Sequence, residues 1–297
     1  MRKQLLRAIT LSILIVFISL PVTGCSENRT IDSPKPSQGD KIELTVYLNG
    51  PYKGGVQLPM VPVKRVVRLT GEDTPEFRVK AALEALIKGP TDKEEEEGLS
   101  TALPKDVKVL NVDVKRPYAT VNFSSELQKI GGSMMIGSLL DQIKYTLTEL
   151  DGISGIIIQV NGEQVGTEAN PFGGEGITFN VLSRVANGEW VKKISPARSL
   201  DYFIVSIGNA KEMWQWMGPA AKKQYKSPEK LNVSEFVEGM DSWRDYEVVS
   251  EDIQGNRATV IIKGNLLLEG TEEKGVQYSA AMIKEDGQWK WEHGSKK

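Results

Sequence analysis

The 297-residue chain carries 37 basic and 39 acidic residues, one histidine and one cysteine, for a net charge of −2. A near-balanced charge with no basic stripe argues against nucleic acid as a partner and encodes no adhesion to anionic phospholipid. A single histidine cannot build a multi-histidine metal site, and no cofactor or metal is expected.

The chain opens with Arg2, Lys3 and Arg7, runs through an apolar stretch from Ile9 to Leu20, and reaches small residues before Cys25. This is the pattern of a secretory signal peptide over residues 1–24. The apolar stretch is about a dozen residues, whereas a bilayer span takes roughly 20, so a permanent membrane helix is the weaker reading. Val22-Thr23-Gly24-Cys25 resembles the lipobox of bacterial lipoproteins, which implies lipidation of Cys25 after cleavage. Lipidation also accounts for a lone thiol in an exported chain; an ordinary secreted protein with a free Cys25 is the alternative. The expected location is therefore the extracytoplasmic face of the cell membrane, with the lipid on Cys25 as the membrane contact. Without the leader, 34 basic residues face 39 acidic ones and the net charge is −5. Residues 25–40 are rich in Ser, Pro, Asn and Gln and too poor in apolar groups to fold, so they read as a flexible stalk.

The rest of the chain suggests two small α+β domains. Over residues 41–166, Ile42, Leu44, Val46 and Leu48 alternate with polar residues as a half-buried strand, and Val61 to Leu69 is a second β-rich run. Thr74-Pro75 opens a helix with threonine as N-cap and proline at N1; Val79, Leu83, Leu86 and Ile87 share one face before Gly89-Pro90. Thr91 and Glu94 have capping-box spacing, and the acidic run from Glu94 to Glu97 reads as a solvated face rather than a cation site. A hairpin follows, with a slip in the alternation at Leu110 and a turn at Lys115-Arg116-Pro117-Tyr118. A helix from Ser133 to Leu150 carries Ile136, Leu139, Leu140, Ile143, Leu147 and Leu150 on one stripe, and Ile156 to Val160 is the last strand, ended by Asn161-Gly162.

Residues 167–189 read as a linker or an irregular strand addition. In residues 190–297 a helix is predicted from Ala197 to Met217, then shorter helices at Ala220–Tyr225 and Val233–Gly239. Four antiparallel strands follow, with turns at Gln254-Gly255-Asn256 and Glu285-Asp286-Gly287. The second domain is thus expected to be helices set against a curved antiparallel sheet, a cone.

Two resemblances rest on these residues. The runs Ala82 to Thr91, Glu97 to Pro104, Ala119 to Ser124, Gly131-Gly132-Ser133 and Leu140 to Ile143, with Tyr145 to Glu149, resemble the GerM-type sporulation and germination domain (GerMN). The resemblance implies an envelope protein, often a lipoprotein, with no established enzymatic activity; some members carry two copies of the domain, and one is found here. The helices-then-meander order with the terminal Gly287-Gln288-Trp289-Lys290-Trp291 resembles the cystatin-like cone of nuclear-transport-factor-like domains.

No catalytic residue is expected. His293 near the chain end is a poor triad member, and Glu84, Asp141 and Glu149 are the carboxylates to inspect for wall-sugar hydrolysis. All six tryptophans lie at or beyond Trp190. Of these, Trp214, Trp243, Trp289 and Trp291 are the candidate ligand-binding residues of the cone, although core packing is the commoner role. The preferred functional reading is a membrane-anchored, non-enzymatic adaptor in sporulation or germination, with an envelope protein complex or peptidoglycan as partner. A small-ligand or wall-fragment binder and a carboxylate-dependent wall hydrolase are the alternatives.

Overall fold

A computed structural model describes residues 39–297 apart from 55, 174–175, 232–241 and 269–270. The leader, Cys25, the stalk up to residue 38 and the helix expected at Val233–Gly239 lie outside the described residues.

In the first domain β1 (Lys41–Leu48) buries Ile42, Leu44, Val46 and Leu48 on one face, as the alternation predicts. A two-residue ladder, β2 (Tyr52–Lys53) with β3 (Val56–Gln57), separates it from its antiparallel partner β4 (Val61–Arg68). Helix α1 (Pro75–Lys88) is capped by Thr74, whose hydroxyl accepts from the Phe77 N–H at 3.1 Å, and Val79, Leu83 and Leu86 are fully buried. The short α2 (Asp92–Glu96) has the expected reciprocal capping box between Thr91 and Glu94. Glu94 is more than a solvated acid, because Arg65 on β4 grips both its oxygens at 2.9 and 2.6 Å. Those hydrogen bonds hold the Glu94 carboxyl at about 2.

β5 (Val109–Lys115) and β6 (Tyr118–Phe123) form the hairpin, and their register shifts between Val109 and Asn111, so the slip at Leu110 is a bulge. Helix α3 (Ser133–Leu147) then crosses over, and β7 (Gly155–Val160) pairs with β6 in parallel before β8 (Glu163–Gln164) closes the order β5-β6-β7-β8. The parallel pairing is a feature that the alternation of single strands cannot show. Helices α1 and α3 pack on each other and on β1, enclosing one apolar core. Gln142, fully buried on α3, fastens this arrangement: its amide donates to the carbonyls of Tyr47 and Ser100 and accepts from the Ala102 N–H. Each of these contacts satisfies a backbone group that burial would otherwise leave unpaired.

The segment read as a linker is packed. Phe172 and Leu182 belong to the first core, and Leu182 exchanges two backbone hydrogen bonds with Ile156. The irregular strand addition is therefore the better description of this stretch.

The second domain begins with α4 (Pro196–Ser206), α5 (Ala210–Trp216) and α6 (Pro219–Tyr225). The single helix expected from Ala197 to Met217 is two helices. Gly208 takes φ +105°, and Asn209 restarts the chain as an N-cap by accepting from the Glu212 N–H, so a local break interrupts an otherwise continuous apolar stripe. Strands β9 (Ser242–Gln254), β10 (Arg257–Leu268), β11 (Thr271–Glu285) and β12 (Gln288–Lys296) form an antiparallel meander. Bulges in all three pairings bend these strands around the helices. Gly264 sits at one of them, where a Cβ would come within 2.3 Å of the Tyr246 Cβ. The β11–β12 turn has positive φ at both Asp286 and Gly287, as the Asp-Gly pair predicts.

Lys290 on β12 is buried, donates to the Gln215 carbonyl and lies 5.7 Å from the centre of the Trp216 ring. Burial, then the neighbouring Lys222, lowers its ammonium to about 8. The unfolded chain keeps this proton up to about 10.5, so between pH 8 and 10.5 the unfolded state binds more protons and stability rises with pH. Urea midpoints measured from pH 7.5 to 10.5 are expected to climb for the native chain relative to Lys290→Met. Parallel curves for the two proteins would contradict a desolvated lysine.

Candidate functional site

The two cores meet at a cleft where α3 ends. Thr148 caps α3, donating its hydroxyl to the Lys144 carbonyl at 2.6 Å. The packed segment after Leu182 brings Arg184 over this terminus. Its Nε donates to Thr148 Oγ1 at 2.7 Å and its Nη2 to the Tyr145 carbonyl and Glu149 Oε2 at 2.7 and 2.9 Å. The guanidinium lies 5.0 to 5.5 Å from the ring centres of Tyr47, Tyr145 and Trp190. From the other domain, Arg198 on α4 donates to the Thr148 and Ile153 carbonyls. Two cations thus satisfy the carbonyls that a helix C-terminus leaves open, and both favour its negative dipole end.

A second set of bonds lies beside them. Asp201 on α4 is fully buried and accepts from Arg116 Nε and Nη2 at 3.2 and 2.8 Å and from the Tyr246 hydroxyl at 2.6 Å. Arg116 belongs to the β5–β6 turn, and its carbonyl accepts from the Asp245 N–H at 2.8 Å. Burial, reinforced by Asp201, raises the Tyr246 hydroxyl well above its ordinary value, so it remains a donor. The described residues accordingly form one compact unit with two cores.

The cleft left open between these contacts measures 540 Å³ and is lined from both domains, with Tyr47, Glu149 and Asp151 on one side and Trp190, Lys193, Arg198 and Tyr202 on the other. Burial, then the neighbouring Glu149, raises the Tyr47 hydroxyl. Tyr47 also borders a 470 Å³ pocket with Leu58, Pro59, Met60 and the exposed Met134.

Residues 45–166 match the family described as "Germane: Sporulation and spore germination". This segment is a GerM-type domain. The chain is also similar to the tandem GerMN domains of the sporulation protein GerM from Bacillus subtilis, at 25 % identity over 50 % of this chain and 46 % of that one, with a TM-score of 0.39. It therefore spans less than half of that structure. A putative lipoprotein from Clostridium perfringens is 26 % identical over 48 % of this chain and 85 % of its own, with a TM-score of 0.31. The first GerMN domain of the Bacillus subtilis protein alone is 23 % identical over 48 % of this chain and 98 % of its own, with a TM-score of 0.35. No curated protein matches the chain.

The GerM-type domain thus supplies one wall of the cleft, and the tryptophans chosen from the sequence stand elsewhere. Trp243 is buried against Tyr246 and Tyr278, and Trp291 stacks on Phe203 with ring centres 4.7 Å apart. Trp289 is buried beneath Lys284, and Trp214 is half-buried near Lys222. These side chains fill and flank the core of the second domain rather than converging on an opening. Trp190 is the tryptophan that lines the cleft.

The three inspected carboxylates are dispersed, Glu84 on α1, Asp141 on α3 and Glu149 just past the α3 C-cap. Glu84 is exposed 4.0 Å from Lys80, Asp141 pairs with Lys144, and Glu149 with Arg184. His293 is exposed and stands in β12 opposite Ala281, in a strand that continues to Lys296. Arg116, Arg184, Arg198 and Asp201 were missed. Isolated arginines and an aspartate in a helix carry no local pattern, and their partners lie 35 to 85 residues away.

Proposed function

We propose that this chain is a lipid-tethered, extracytoplasmic adaptor of sporulation or spore germination with no catalysis of its own. The observation that carries this reading is the family match over residues 45–166. The leader ending in Val22-Thr23-Gly24-Cys25 supports the tether, and a lipid anchor makes weak contacts with membrane-bound partners sufficient by raising their effective concentration. Two domains joined through buried arginine contacts suit a rigid spacer between partners. The separate pairing of Glu84, Asp141 and Glu149 weakens the wall-hydrolase alternative, and the packed tryptophans weaken a ligand held inside the cone.

The test is a sporulating culture expressing the native chain or Cys25→Ala. The native chain is expected in the membrane fraction, crosslinked to an envelope partner. Cys25→Ala is expected in the soluble fraction, with the sporulation or germination defect of a deletion. Normal sporulation and germination in the deletion strain, or membrane retention of Cys25→Ala, would refute the corresponding half of the proposal.

A further inference from the structure

The interdomain cleft has a lining that an adaptor role leaves unused. Its walls present the partly exposed rings of Tyr47 and Trp190, and its volume of 540 Å³ falls in the range of small-molecule sites. Arg184 has a side chain only 7 % exposed, yet its hydrogen bonds among the described residues come from Nε and Nη2. Nη1 makes no hydrogen bond among the described residues. Lys193 is exposed in the same lining and makes no ion pair among the described residues. Opposite charge is present too. Both hydrogen bonds to Glu149, from Arg184 and Tyr47, fall on Oε2, which leaves Oε1 open, and Asp151 is exposed without an ion-pair partner among the described residues.

We propose that this cleft binds a small zwitterion of the amino-acid or short-peptide class, its carboxylate on Arg184 Nη1 and Lys193 and its ammonium on Glu149 Oε1 and Asp151. A simple anion would face Glu149 and Asp151, and a simple cation Arg184, Lys193 and Arg198. A ligand carrying both charges meets each with its complement, and its side chain rests on the ring of Trp190. Arg184 is already held in place by Thr148, Tyr145 and Glu149, so its free N–H groups are oriented before the ligand arrives, which lowers the ordering cost of binding. The site does not depend on the tether or on a role in sporulation.

Calorimetric titration of the purified full chain tests it, with trialanine, N-acetyl-trialanine, trialanine amide, L-alanine and the wall stem tripeptide as probes. Trialanine is expected to saturate the protein, and blocking either end to weaken binding about tenfold or more, the loss of one charge-assisted contact. Lys193→Ala and Asp151→Ala, both at exposed positions, are each expected to weaken it about tenfold at an unchanged melting temperature. L-alanine binding as well as trialanine identifies the ligand as a free amino acid, and tighter binding of the stem tripeptide identifies it as wall-derived; either result supports the site. Equal binding of free and blocked peptides, or no saturation by any probe up to about 10 mM, overturns it.

Discussion

Replacing Asp201 with asparagine is expected to lower the stability of the whole chain by about 3–5 kcal/mol, the range for breaking a buried ion pair from one side. The carboxylate is inaccessible to water and accepts three hydrogen bonds, two from Arg116 and one from Tyr246. Asparagine has nearly the same shape but no charge, and it turns an NH2 toward one of these donors. Arg116 then stays largely buried without its counter-ion. Because Arg116 and Asp201 belong to different domains, the loss should also loosen their junction, visible as faster proteolytic cleavage in the stretch between Leu182 and α4. Urea unfolding of the native chain and Asp201→Asn measures the first effect. A triple change, Arg116→Met with Asp201→Leu and Tyr246→Phe, removes the hydrogen-bonding partners together but leaves Arg198, whose Nη1 lies 3.9 Å from the Asp201 carboxylate, and is expected to recover part of the loss, since a buried pair is often replaceable by apolar groups. An unchanged urea midpoint in Asp201→Asn would mean that the carboxylate is not buried against Arg116.

Leu83→Ala is expected to cost about 2–5 kcal/mol. Leu83 is fully buried on α1 between Val79 and Leu86, and this helix packs on β1, β5 and α3, so the vacated volume sits where three elements meet. Elements held by one another have little room to collapse into the cavity, which places the cost above the transfer term alone. Its chain neighbour Glu84 is exposed, and Glu84→Ala should stay within about 0.5 kcal/mol. Thermal melts of the two variants test the helix face directly. A Leu83→Ala melt that overlays that of Glu84→Ala would show the face to be misplaced.

How much of this could be read from the chain depended on how far apart the interacting groups are. The N-caps Thr74 and Thr91, the capping-box Glu94, the Leu110 bulge, the Asp286-Gly287 turn and the alternating strands are set by residues within a few positions of one another. Local dihedral preference and one-sided burial place each of them without knowledge of the fold. The GerM-type segment was recognisable for a related reason, because its short runs fall in a fixed order along the chain. Where the helix ran past Ser206, the apolar stripe misled: Leu200, Phe203 and Ile204 continue to Met213 and Trp216 on the same core, while the break at Gly208 is a backbone event that periodicity does not register.

The sequence by itself determined the α+β class, the element caps and the buried faces of α1, α3 and β1, all through local chemistry and periodicity. Tertiary structure decided the parallel pairing of β6 with β7, whether the tryptophans became core or cleft, and the junction between the domains. Burial of a tryptophan is settled by what packs over it, and Trp190 and Trp291 are alike in type but stand respectively at an opening and in the core. The arginines at the junction act on carbonyls and carboxylates far along the chain, so their roles exist only once folding has brought Thr148, Ile153 and Asp201 within hydrogen-bond reach.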